Sequence, residues 1–269
     1  MTASTGRENP AGPEHPPASR AGTGTDAGLT APAASTARPA PRGPSGRREG
    51  SSWRVPTALI ALSVIPVIAG SLRLVEIAGG PAVLPTNPRI NASPAPVVVH
   101  IISVTIFAIL GAFQFSARLR RRRPNWHRRS GRLLVVTGLV VAGSGLWMTL
   151  FYDNAPGGYL LWAVRLLVGS AMAASILLAF TAIRRRDIPT HRAWMIRAYA
   201  LATGAGTQAI IGGFSESAFG TGDLSKALWM TVGWLINLAV AEWIIRRPAR
   251  RRRRRARSAH TRAVTVGSP

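Results

Sequence analysis

The chain of 269 residues contains no cysteine. This absence excludes disulfide bonds, iron–sulfur clusters and thiolate nucleophiles. The chain also lacks a P-loop, a dinucleotide-binding glycine fingerprint, a zinc-protease helix and a serine-hydrolase elbow. The sequence therefore predicts neither a recognisable catalytic domain nor a metal site, and it leaves open whether the protein is an enzyme.

Acidic residues are scarce: 10 Asp and Glu stand against 34 Lys and Arg, which gives a net charge of +24. Such a charge is typical of nucleic-acid-binding proteins, and the run Arg250 to Arg255 would be the place for that contact. Most of the bases, however, flank long apolar segments, where each attracts anionic lipid headgroups by about 1 kcal/mol. We therefore predict the lipid bilayer and its anionic headgroups as partners, rather than nucleic acid.

Long apolar runs dominate the middle of the chain. A helix needs about 20 apolar residues to cross the hydrocarbon core of a bilayer, and its backbone hydrogen bonds must all be made within the segment. The sequence thus predicts an all-α fold, a six-transmembrane-helix bundle occupying residues 51–247. The predicted spans are 55–78, 97–117, 133–152, 159–183, 193–215 and 226–245.

Arginines concentrate in every second loop. The segment Arg118 to Arg132 carries eight Arg and no acid, and the segment after the last span carries ten Arg. The loop between spans four and five has four Arg against Asp187 alone, whereas the other three loops hold only Arg89 and Lys226 as bases. Because positive loops stay in the cytoplasm, we expect both termini inside, in the plasma (inner) membrane of a bacterial cell.

The two ends of the chain have little apolar content. Residues 1–50 are dominated by Ala, Pro, Gly, Ser, Thr and Arg, and residues 248–269 are rich in Arg. Such segments cannot bury enough apolar surface to offset the entropy of ordering. We predict that both are disordered cytoplasmic tails.

Ionisable side chains at membrane depth are candidates for function, because burying them in lipid is costly. Near the outer side, Arg73 and Glu76 lie three residues apart in span one, and His100 lies close to the start of span two. Arg165 lies about 10 Å below the outer end of span four. These residues either line an outward-facing polar pocket, or their arginines extend to the surface and pair with acids.

A second group of candidates lies on the inner side. His127 precedes span three, while His191 and Arg192 precede span five, with Arg197 further along the same span. Each segment has a Pro, then His-Arg with a Trp nearby, which indicates a weak internal repeat; Arg and Trp are also ordinary interfacial anchors. The candidate cofactor-binding residues, with His as axial ligand or proton carrier and Arg as anion contact, are His100, His127, His191, Arg165, Arg192 and Arg197.

Polar and small residues within the spans are assigned to helix packing. Small residues recur every four positions at Ala198, Ala202 and Gly206, which lets helix backbones approach closely. Three buried amides are expected to form hydrogen bonds between helices. They are Gln114, Gln208 and Asn237.

Several of these segments carry a resemblance to a known family. The stretch from Gly111 to Phe115, the segment from Trp126 to Arg132 and above all the stretch from His191 to Leu201 are similar to a bacterial family of predicted membrane proteins, the domain of unknown function 2306 family. The resemblance covers roughly residues 55–245. It implies a multi-pass helical membrane protein and supplies no activity.

Three functions fit these observations. The sequence favours an accessory or structural membrane protein that binds lipid or a partner through its arginine-rich inner face. The second is a small-molecule transporter or permease, for which a homodimer would supply further helices; no carboxylate in mid-span is available to couple protons or sodium.

The third function is electron transfer by haem b or quinone, with His at the span ends as ligands. His100 and His191 lie on opposite sides of a core about 30 Å thick and cannot share one iron. Only His127 and His191 are expected at similar depth, and His127 is expected to lie ahead of its helix rather than within it.

Overall fold

A computed structural model describes residues 53–153 and 157–266, with side chains as far as residue 247 except at 216 and 219. The predicted disordered tail at 1–50 lies outside the described residues. Over the described ranges the backbone is helical, without strands. The helices are α1 (Arg54–Ile77), α2 (Pro88–Ala92), α3 (Ala95–Gln114), α4 (Ala117–Arg122), α5 (Pro124–Phe151), α6 (Gly158–Arg184), α7 (Ile188–Ala202), α8 (Gly204–Phe219) and α9 (Asp223–Val266).

Five helical segments in the described residues are long and apolar enough to cross a membrane, by length and composition. They are α1, α3, α5, α6 and the Asp223–Arg247 part of α9. The prediction of a multi-pass helical membrane protein is therefore confirmed. One boundary differs, because α5 already begins at Pro124, a residue whose fixed φ favours the first turn of a helix.

The predicted span at 193–215 is not one continuous helix. It is divided into α7, of 15 residues, and α8, of 16 residues. Between them Thr203 leaves the helical conformation (φ −84°, ψ 7°), and its hydroxyl donates to the Tyr199 carbonyl at 2.9 Å. Such a bond competes with the helical pattern. At Gly204 a Cβ would lie 2.2 Å from Trp234 Nε1, so only glycine fits beside this indole.

Helix α9 continues far beyond its apolar part. It extends to Val266, so the backbone is helical where the sequence predicts disorder from residue 248 onward. Arg and Ala, which dominate this stretch, are among the best helix formers. Extending an existing helix also avoids the cost of nucleation.

The helices enclose a central space. Helix α1 packs against α3 and α8, α3 against α5, α5 against α6, α6 against α9, and α9 against α8. Helix α7 lies inside this arrangement, in contact with α3, α6 and α9. We call the end of the bundle that carries α4 and the start of α7 the arginine-rich end, and the end that carries α2 the opposite end.

Tyr199 fills the centre of the bundle on the arginine-rich side. The residue is 4% exposed, and its hydroxyl donates to the Ala108 carbonyl at 2.7 Å. Its ring stacks on Phe107 at 5.9 Å and meets Phe115 edge-on at 5.1 Å. A Cβ at Gly111 would lie 2.4 Å from this ring, so the glycine leaves the space that α7 occupies.

Hydrogen bonds between helices join the remaining elements. All three predicted amide contacts are confirmed: each side chain donates to a group on another helix. Gln114 Nε2 donates to Ser130 Oγ at 2.7 Å, Gln208 Nε2 to the Met230 carbonyl at 2.8 Å and Asn237 Nδ2 to the Ala200 carbonyl at 3.1 Å.

Candidate functional site

A cavity of about 500 Å³ lies in the middle of the bundle. Its walls come from α1, α3, α5, α6 and α9. Its floor is the junction of α7 and α8, with Leu201, Thr203 and Gly206, and α2 contributes Arg89 and Ile90 at the opposite end. Helix α7 ends at Ala202, and α8, which packs against α1 and α9, begins at Gly204.

Basic and aromatic polar groups line the cavity towards the opposite end. Arg89 Nε donates to Asn87 Oδ1 at 3.3 Å, and its guanidinium carbon lies 6.0 Å from the centre of the Tyr152 ring. The Tyr152 hydroxyl donates to the Ser93 carbonyl at 2.5 Å. These contacts hold Arg89 above the cavity.

Arg165 enters the same space from α6. Its Nη2 contacts Met230 Sδ at 4.0 Å, and Arg89 lies within electrostatic range of it. The cavity-lining residues that the structure describes include no Asp or Glu. The lining therefore contains guanidinium groups from two helices, α2 and α6.

His100 is the one histidine among the cavity-lining residues that are described. Its Nδ1 lies 3.0 Å from Ser144 Oγ. The Ser144 hydroxyl also donates to the Val140 carbonyl at 2.6 Å, so this serine connects the His100 ring on α3 to the backbone of α5. A Cβ at Gly145 would lie in ordinary van der Waals contact with the ring, 3.5 Å from His100 Cε1.

The predicted outer cluster is thus divided. His100 and Arg165 line the cavity, but Arg73 and Glu76 do not. Arg73 Nη1 instead forms an ion pair with Glu76 at 2.6 Å, and Nη2 donates to the Pro85 carbonyl at 2.9 Å. Arg73 therefore pairs with an acid and does not line the pocket.

Two cavity residues were missed by the sequence analysis. Arg89 was considered only as a base in an outer loop, and Tyr152 was not considered. The available signal was that Arg89 is one of only two bases in the arginine-poor loops and directly follows Pro88, which starts a short helix.

Two of the predicted histidines lie at the arginine-rich end. His127 lies in the first turn of α5, not ahead of the helix as predicted, and is within electrostatic range of His191. His191 Nδ1 lies 2.9 Å from the Ala179 carbonyl. Because a carbonyl only accepts, Nδ1 carries the proton and Nε2 is the nitrogen able to bind a ligand.

The two predicted arginines at this end have different surroundings. Arg197 Nε forms an ion pair with Glu242 Oε1 at 2.6 Å, and its guanidinium carbon lies 4.5 Å from the Trp194 ring centre. Glu242 also pairs with Arg246 at 3.2 Å, as its four-residue spacing indicates. Arg192 is exposed. Arg197 therefore joins α7 to α9, while Arg192 lies at the surface.

The turn that presents His191 is fixed by Asp187. This carboxylate caps α7, accepting from the Thr190 backbone N–H at 3.1 Å. Hydrogen bonds from the Thr190 hydroxyl and N–H hold the pKa of Asp187 below its ordinary value. Among the described residues, no group of three or more His, Asp or Glu is placed to hold a metal ion.

Comparison with known proteins agrees with the architecture. A family model described as predicted membrane protein (DUF2306) matches residues 97–245, more than half of the chain. No curated protein and no solved structure gives a significant match. The matched region runs from the start of α3 to the end of the apolar part of α9, and so includes most of the cavity. The chain belongs to the DUF2306 family of predicted membrane proteins.

Proposed function

We propose that the protein crosses the membrane six times, with α7 and α8 together forming the fifth crossing. Their succession supports this: α7 begins at the arginine-rich end, where His191 meets Ala179, and α8 reaches the level of Met230 on α9. With the arginine-rich end in the cytoplasm, both termini lie on the cytoplasmic side of the plasma membrane. Reporter fusions at the two termini test this topology: a phosphatase active only outside should be inactive at both, and activity at either would contradict it.

We propose that the central cavity binds a small molecule, so that the protein acts as a membrane carrier or receptor rather than a purely structural component. One observation carries this proposal: the fifth apolar segment breaks at Thr203, and the break forms the floor of a cavity of about 500 Å³. Small-molecule pockets have volumes of about 300–1,000 Å³. Non-helical backbone at membrane depth is tolerated where it lines a cavity, and discontinuous helices form the binding sites of many transporters.

The accessory role favoured by the sequence requires no such cavity. Helices that serve packing alone would gain contacts by closing it, since unfilled volume forfeits dispersion energy. The cavity therefore favours small-molecule binding over the accessory role.

Cysteine labelling tests whether the cavity is accessible to water. Because the natural chain has no cysteine, each variant carries a single thiol. Thr149 lines the cavity and is buried, whereas its neighbour Leu150 is 53% exposed on the outer face of α5. A thiol in hydrocarbon does not ionise and does not react.

We expect a membrane-impermeant thiol reagent, added outside intact cells, to label Thr149→Cys and not the matched control Leu150→Cys. Labelling of Leu150→Cys alone would contradict an accessible cavity. Uptake by vesicles containing the purified protein, compared with protein-free vesicles, then separates a carrier from a receptor.

A second candidate function rests on the pair His127 and His191. Two contacts support the pair: His127 lies within electrostatic range of His191, and His191 Nδ1 donates to the Ala179 carbonyl, which is how ligating histidines are held. We propose haem b, or a quinone bound by the same residues, as the corresponding cofactor. A reduced-minus-oxidised spectrum of protein expressed with ample haem tests this; the absence of a haem band would exclude the haem proposal.

The arginines of the same end support contact with anionic headgroups. Arg120 to Arg122 end α4 and Arg123 follows directly, while a further cluster, Arg184 to Arg186, lies at the end of α6 and just after it. We propose that these residues bind the inner leaflet, each by about 1 kcal/mol. Flotation with vesicles is expected to favour anionic over neutral lipid at low salt. Homodimer formation stays a prediction of the sequence.

A further inference from the structure

We propose that residues 79–94, which connect α1 to α3, form a lid that closes the cavity at the opposite end of the bundle and opens to admit the ligand. This inference rests on the proposed binding function and adds the route by which the site is reached. Three features of the segment carry it: the side chains that line the cavity, the limited packing of α2, and the hydrogen bonds that hold the segment in place.

The inner surface of the lid forms the end wall of the cavity. Asn87, Arg89 and Ile90 line the cavity, and Ile90 is the most buried residue of the lid, at 8% exposed. The other lid residues are mostly exposed, and Val83 reaches 64%. Because one face of the segment lies against the cavity and the other at the surface of the protein, displacement of the segment would open the cavity at this end.

Little helix packing holds the lid in place. Its helix, α2, has five residues and packs extensively against no other described helix. The lid begins at Gly79, which has a left-handed φ of +94° and no neighbouring atom within 4 Å of its Cβ position. It ends at Pro94, directly before α3. Segments with few buried apolar contacts open at low free energy, so the lid can move while the bundle stays folded.

Two hydrogen bonds tether the lid to the bundle. On the side of α1, Arg73 Nη2 donates to the Pro85 carbonyl at 2.9 Å. On the side of α5, the Tyr152 hydroxyl donates to the Ser93 carbonyl at 2.5 Å, and the Tyr152 ring centre lies 6.0 Å from the Arg89 guanidinium carbon. One tether thus precedes α2 in the chain and the other follows it. Loss of either should raise the population of the open state, because each bond stabilises only the closed one.

The labelling rate of a cavity thiol measures how often the lid is open. The full-length Thr149→Cys protein in nanodiscs, which expose both faces of the membrane, is treated with sulfonatoethyl methanethiosulfonate, a small membrane-impermeant reagent. If the lid closes faster than the thiol reacts, the labelling rate is proportional to the open population. Val83→Cys on the outer surface of the lid is the matched control, because its thiol is accessible in both states.

Each tether is then removed in the Thr149→Cys background. Tyr152→Phe removes the hydroxyl and keeps the ring, and it should raise the labelling rate by about fivefold, the equivalent of one neutral hydrogen bond. Arg73→Gln removes a charged donor and should raise the rate by about tenfold or more. Its control is Glu76→Gln, which changes the partner of Arg73 on α1 but leaves the bond to the lid, so the rate should stay nearly unchanged. Similar melting temperatures show that the variants are folded, and Val83→Cys should label at one rate in all backgrounds.

The outcomes separate the lid from the binding function. Labelling of Thr149→Cys at the same rate with and without each tether would overturn the lid while leaving an accessible cavity. Absence of labelling of Thr149→Cys in every background, with Val83→Cys labelled normally, would overturn the accessible cavity on which the binding function rests.

Discussion

The contact between α8 and α1 gives the most demanding test of the packing. At Gly206 a Cβ would lie 2.1 Å from the Leu62 carbonyl oxygen, whereas carbon and oxygen normally approach to about 3.3 Å. Gly206→Ala must therefore separate the two backbones by about 1.2 Å along this line. No side-chain rotation relieves the clash, because the atom that is struck belongs to the backbone.

The loss of stability caused by Gly206→Ala can be estimated by comparison with a second glycine of the same helix. Gly213 has no atom within 4 Å of the position of its Cβ, so Gly213→Ala changes only helix propensity, by up to about 1 kcal/mol in favour of folding. Gly206→Ala gains the same propensity but suffers overpacking, which costs about 1–3 kcal/mol. We expect Gly206→Ala to be about 2–3 kcal/mol less stable than Gly213→Ala. This value is the upper part of the range for overpacking, because the backbone of one helix must move.

Reversible unfolding in mixed detergent micelles, followed by circular dichroism, measures both free energies of unfolding. Equal stabilities of the two variants, within about 0.5 kcal/mol, would refute the close approach of α1 and α8. They would also remove the support that this contact gives to the position of α8 beside the cavity.

Three further predictions concern single contacts. Tyr199→Phe removes the buried hydrogen bond to Ala108 and should lower the free energy of unfolding by about 1–3 kcal/mol, measured as above; an unchanged value would contradict that bond. A double-mutant cycle of Arg197→Gln and Glu242→Gln should give a coupling energy of about 0.5–3 kcal/mol, whereas additive effects would show that the ion pair does not join α7 to α9. Asp187→Ala should lower the melting temperature at neutral pH. The folded-state pKa of Asp187 lies below its ordinary 3.8. The difference in melting temperature between Asp187→Ala and the natural protein should therefore be constant at pH values above this ordinary pKa and shrink as the pH falls through the folded-state pKa. A pH-independent difference would argue against the cap.

The sequence predicted those parts of the fold that depend on local composition. Apolar length located α1, α3, α6 and the membrane part of α9 to within a few residues. The interruption at Thr203 was missed because threonine and glycine are common in membrane helices. The break depends on Trp234, which lies beside Gly204 only after α9 has packed.

Candidate site residues were predicted less well, for a related reason. Arg165 and His100 were found because charge inside a span is conspicuous, and both line the cavity. Arg89 lies in a connecting segment, where a base has an ordinary explanation, and its position over the cavity depends on the path of α2. Arg197 was assigned to ligand binding, but Glu242, distant in the chain, pairs with it.

The divided fifth segment has a consequence for biogenesis. Helices α1, α3, α5 and α6 are each long and apolar enough to enter the bilayer as they are made, whereas neither α7 nor α8 reaches that length. Their partners on α9, which accept or donate at Met230, Asn237 and Glu242, are synthesised last. We expect the α7–α8 pair to be held beside the translocation machinery until α9 emerges, so that a chain truncated after residue 222 would leave this segment sensitive to protease. The last helix would thus complete insertion of the segment that precedes it.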